Sequence, residues 1–112
     1  MAKIDWSKVR KEFGKAVNMS ATEIRNWLDT EESRSVGFKQ VGATESVGHA
    51  SGRRILKLLE KKAAELSDDD YAHMRKVVGY VHRHLAQRPE NIYTSRWRYS
   101  LMNWGHDPTK EA

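Results

Sequence analysis

The chain has 112 residues, 38% hydrophobic and 31% charged, an ordinary globular balance at its polar end, so wholesale disorder is excluded and one folded domain over residues 1–112 is expected. Its 20 lysines and arginines outweigh 15 aspartates and glutamates by +5, a bias that favours anionic partners such as nucleic acid. It has no cysteine, which excludes disulfides, thiolate metal sites and a thiol nucleophile.

The N-terminal "MAKIDWSKVRKEF" lacks the apolar segment of a signal peptide, and no run is apolar enough to span a bilayer, so a cytoplasmic protein is expected. In "DWSKVRKEFGKAV" an N-cap at Asp5 precedes Trp6, Val9, Phe13, Ala16 and Val17 at helical spacing, with Lys8, Lys11 and Lys15 on the other face. A second helix follows in "NMSATEIRNWLDTEES", where Ser20 and Glu23 have the spacing of a capping box ahead of Ile24, Trp27 and Leu28.

From Glu31 to His49 no period persists, and the segment reads as a long ordered loop anchored by Val36, Phe38, Val41 and Val47. A third helix is expected from Ser51 to about Leu66, with Ile55, Leu56, Leu59, Ala63 and Leu66 buried. The fourth begins at Ser67, whose three following aspartates suit a helix N-terminus. It carries the stripe Tyr71, Met74, Val77, Val78, Val81 and Leu85, and Pro89 terminates it. A short last helix should start near Thr94, with Trp97, Leu101 and Trp104 on one face and Gly105 just past its end; Pro108 should end regular structure and both termini should fray, leaving about 5–108 ordered. The expected class is all-α: four main helices plus a short C-terminal one, with no convincing strand.

The stretch "GHASGRRILKLL" could do two things. Read as a helix N-terminus it offers free N–H groups, a close-approach glycine and paired arginines, a seat for phosphate at Ser51, Gly52, Arg53 and Arg54. The same residues suit a plain helix start with solvated arginines, and the P-loop pattern is absent. Lys57 and Lys61 continue the basic face, and Lys76 and Arg83 add to it from the fourth helix, together enough to neutralise several backbone phosphates. The four tryptophans could stack bases, but all obey helical periodicity and read as core. His82 and His84 lie on different helix faces with no completing carboxylate, so neither metal nor cofactor is expected, and His106 beside Asp107 lacks a nucleophile motif.

Taken together, "EFGKAVNMSATEIRNWL", "ESVGHASGRRIL", "DDDYAHMRKVVGYVHRHLAQRP" and "WRYSLMNWGHDP" resemble a family of small bacterial and fungal proteins of unknown function, often labelled DNA-binding. The resemblance runs from about Trp6 to Pro108 and supplies no catalytic or binding residues. "SATEIRNWL" is also similar to the first helix of the helix-extended loop-helix DNA-binding modules. The expectation is therefore a non-enzymatic protein that contacts double-stranded DNA through Ser51, Gly52, Arg53, Arg54, Lys57, Lys61, Lys76 and Arg83, mostly without sequence readout, and is nucleoid-associated in that case. Two alternatives stand beside it: an adaptor that docks a protein on the 33–49 loop, and a small ligand-binding protein or hydrolase using His49 or His106.

Overall fold

A computed structural model describes residues 5–110; the fraying expected at 1–4 and 111–112 lies outside the described residues. The described chain holds six α-helices and no strand: α1 Trp6–Ala16, α2 Ala21–Leu28, α3 Glu31–Ser35, α4 Val47–Glu60, α5 Asp68–Leu85 and α6 Arg96–Asn103. Short 3₁₀ turns occupy Ala63–Glu65 and Pro108–Lys110.

Local cap chemistry sets most of the boundaries. Asp5 accepts the Lys8 N–H at 3.1 Å, and Ser20 and Glu23 form a reciprocal capping box. Ser67 and Asp70 do the same at the start of α5. The end of α6 is a Schellman motif: Gly105, at φ +81°, donates to Met102 O at 3.0 Å while His106 N–H reaches Leu101 O at 3.0 Å.

α1 lies against α5, where Trp6 stacks on Tyr71 with ring centroids 4.5 Å apart. α6 is the central element and touches α2, α3, α4 and α5. Its Leu101 is fully buried, a change worth about 1.5–3 kcal/mol for a side chain of that size. Behind α6 the chain is clamped to the α1–α2 junction. Asn18 Nδ2 donates to Asp107 O at 3.0 Å, Asp107 N–H returns to Asn18 Oδ1 at 2.7 Å, and Met19 N–H reaches Gly105 O at 3.2 Å. Regular structure therefore continues past Pro108, and Lys110 pairs with Glu23 at 2.6 Å.

The expected loop from 31 to 49 is shorter than the sequence implies. Thr30 caps α3 by accepting the Ser33 N–H, and at the other end Ser46, not Ser51, caps α4. Of its four expected anchors, Val36 is buried and Val47 packs against the core, whereas Phe38 (72% exposed) and Val41 (106%) stand in solvent. α4 also ends at Glu60, leaving Leu59 and Ala63 exposed; its buried face is instead Gly48, Ser51, Gly52, Ile55 and Leu58.

That face explains the glycines of "GHASGRR". A Cβ on Gly52 would sit 2.6 Å from Asn103 O and 2.8 Å from a Leu28 methyl, and one on Gly48 would be 3.0 Å from Trp104 Nε1. These glycines let α4 close on the end of α6, so the stretch is a helix-packing seam in the first two turns of α4 rather than an open helix N-terminus.

Candidate nucleic-acid interface

The eight expected contact residues separate into three groups. Ser51 and Gly52 are buried, Ser51 Oγ sharing a 2.9 Å hydrogen bond with His73 Nε2, so neither is available to a phosphate. Arg53, Arg54 and Lys61 are ion-paired. Arg53 grips Glu45 with Nε at 2.8 Å from Oε2, and that hydrogen bond leads in holding the Glu45 carboxyl down at about 2. Asp70 accepts from Lys61 Nζ at 2.7 Å, from Ser67 N–H and from Arg54 at 3.4 Å, and Lys61 leads in lowering its carboxyl.

Lys57, Lys76 and Arg83 form the third group. All are exposed, and among the described residues no carboxylate pairs with them. Lys76 and Arg83 are seven residues apart on α5, about 10 Å along its axis, hence on nearly one face with Tyr80 between them.

This stripe borders a continuous depression. One recess of about 240 Å³ is lined by Phe38, Val47, Tyr80, Arg83, Ser100 and Trp104, among others. A second, of about 370 Å³, has Ser51, Arg54, His73 and Gln40 on its walls, and the two share Val47, Lys76 and Trp104. Arg54 and Lys76 both line the second recess.

Beneath it rings from α5 interleave with rings from α6. His73 stacks near Trp104 at 6.2 Å, Trp104 on Tyr80 at 4.3 Å, Tyr80 on His84 at 5.1 Å, and His84 on Trp97 at 6.1 Å, where Arg88 caps the row at 5.9 Å. Burial, with Arg54 and Lys76 close by, pushes the His73 imidazole down to about 4, so it is neutral at pH 7. Trp97 and Trp104 are core residues and their ring faces are covered from within, as helical periodicity predicts.

A family model described as "Protein of unknown function (DUF3140)" matches residues 12–102, most of the chain. The chain belongs to the DUF3140 family. The match takes in α2 to α5 whole, including every expected contact residue, and agrees with the resemblance to a family of unknown function. Comparison with curated proteins and with solved structures finds no match.

His49 and His106 of this DUF3140 chain are built into the fold. His49 contacts Glu45 through Nδ1 and donates from Nε2 to Leu28 O at 2.8 Å; it borders a recess of about 230 Å³ with both nitrogens engaged. His106 is buried and donates from Nδ1 to Ala16 O at 2.7 Å, while Asp107 is bound by Arg98. No group of three or more His, Asp or Glu among the described residues could hold a metal ion, and no described helix is long and apolar enough to cross a membrane. Sequence reasoning missed Tyr80, Ser100 and Phe38 as groove residues. The Lys76, Tyr80, Arg83 spacing of i, i+4, i+7 was the signal available for the first.

Proposed function

We propose that this protein is a small DNA-binding domain that contacts the phosphates of duplex DNA, without catalysis and with little dependence on base sequence. The observation that carries the reading is the pair Lys76 and Arg83, exposed on one face of α5 and without a carboxylate partner among the described residues. The net charge of +5 adds a general attraction. The centre of the interface moves with this assignment from α4 to α5. Arg53 is already paired with Glu45, and Lys61 and Arg54 share Asp70, so binding DNA through them would first require loosening those pairs. Lys57 is exposed on α4 and extends the positive surface. Nucleoid association in the cytoplasm follows from such binding.

The test is fluorescence anisotropy of labelled duplex and single-stranded DNA over a salt series. Affinity should fall linearly with salt on logarithmic axes, and the slope, about 0.9 per neutralised phosphate on duplex DNA, counts the contacts. No binding at low salt would end the reading.

A second reading is favoured by Phe38 and Val41, which project from the 36–46 loop at 72% and 106% exposure. A protein partner could dock on that apolar tip, and such a complex would survive nuclease treatment.

A further inference from the structure

The smaller recess has a character that phosphate contact alone does not call for. Its walls are mostly carbon, from Phe38, Val47 and Trp104, with polar atoms at few points. Its polar side chains are the exposed cations Lys76 and Arg83, Asn103, the Ser100 hydroxyl and the Tyr80 phenol, whose pKa burial raises against the effect of Ser100. An apolar cleft with a few convergent polar groups is the usual form of a small-molecule site. At about 240 Å³ it is far too small for a helix or a duplex and lies just under the roughly 300 Å³ lower end of drug-sized sites, which leaves room for one small ring system only.

Gly48 lets Trp104 pack directly against α4 in its wall, since a Cβ there would come 3.0 Å from Trp104 Nε1. Gly37, at φ +93°, turns the chain so that Phe38 stands at the edge, mostly in water. A ligand lying against Phe38 would remove that apolar surface from solvent. No carboxylate lines this recess, so its electrostatic complement is an anion.

We propose that the recess binds a small organic anion, an aromatic ring system carrying one carboxylate or phosphate, with the ring between Phe38 and Val47 and the charge on Lys76 and Arg83. The site stands independently of the DNA reading, because a free small molecule can fill it whether or not DNA binds. If both bind, they share Lys76 and Arg83 and compete.

The experiment is calorimetric titration of the protein with 1-naphthoate, 1-naphthylmethylammonium and inorganic phosphate, with amide chemical shifts followed by NMR. 1-Naphthoate should bind saturably, shifting Val47, Gly48 and Ser100, while the cation and bare phosphate bind at least about tenfold more weakly because each lacks half of the complement. K76Q/R83Q, at exposed positions, should weaken naphthoate by about tenfold, and Phe38→Ala should weaken it with the fold intact. Equal binding of the ammonium compound, naphthoate affinity unchanged in K76Q/R83Q, or shifts elsewhere on the protein would each overturn the assignment. A DNA titration without signal would leave it standing.

Discussion

Ser33 and Asn103, 70 residues apart, bond to each other in both directions: Ser33 Oγ donates to Asn103 Oδ1, and Asn103 Nδ2 donates to Ser33 O at 3.0 Å. Both are fully buried, and Asn103 Oδ1 also accepts Trp27 Nε1 at 2.8 Å, so one amide joins α2, α3 and α6. Asn103→Leu would strand the Trp27 and Ser33 groups without water. We expect a loss of about 2–4 kcal/mol in urea unfolding, against about 1–2 for Ser33→Ala, which removes a single donor. Equal stability of Asn103→Leu and the parent would show that these groups are not effectively desolvated.

Two glycines on helices should respond oppositely to alanine. Gly14 in α1 has open space where a Cβ would stand, so Gly14→Ala should stabilise by about 0.5–1 kcal/mol through helix propensity. Gly52→Ala gains the same propensity but drives a methyl to 2.6 Å from the Asn103 carbonyl, a backbone atom with little room to yield. A net loss of about 1–3 kcal/mol is expected. Thermal unfolding of the two variants side by side checks the sign of each.

His73 makes stability depend on pH. Its folded value, near 4, lies below the model value of 6.5, so the unfolded chain binds the proton more readily in that window. Its contribution is complete above about 6.5 and is lost as pH falls through about 4. Asp70, Arg54 and Lys76 face it, and the two cations outweigh the carboxylate. His84 is lowered by burial as well and acts in the same direction. His73→Gln should therefore flatten, not abolish, the fall in stability between pH 7 and 5; an unchanged slope would show that His73 is not held neutral.

Paired and unpaired cations should differ as DNA contacts. K76A/R83A should lower affinity for every duplex sequence and reduce the salt slope by about 2, whereas Arg53→Ala changes little. Glu45→Gln should have the opposite effect, strengthening binding by releasing Arg53 from its bidentate partner. Measured slopes identical for K76A/R83A and the parent would move the interface elsewhere.

Elements governed by neighbours in sequence were legible. Asp5, Ser20 and Ser67 cap helices because the bonded partners lie three residues on, and the stripe of α5 declares its own period. α3 was missed because five residues cannot display a period, though Thr30 three residues before Ser33 is a cap signal. The start of α4 was misplaced because Gly48 and Gly52 look like turn residues, and only the arrival of Asn103 and Trp104 reveals them as contacts. The site was half legible for the same reason. Lys76 and Arg83 share a helix, so their common face could be read; the pairing of Arg53 with Glu45 and of Lys61 with Asp70 depends on how the 36–46 loop and the 3₁₀ turn bring the chain back.

The clamp between the α1–α2 junction and residues 105–107 bears on the order in which the protein is made. Ala16 O, Asn18 and Met19 N–H acquire their partners from residues roughly 90 positions later. During synthesis from the N-terminus, α1 and α2 leave the ribosome with that junction bonded only to water, and α1 further lacks α5 to pack on. Native closure waits for Gly105 to Asp107 to emerge. Folding should thus wait until Gly105 to Asp107 have emerged, and nascent chains stopped before Gly105 should stay protease-sensitive throughout.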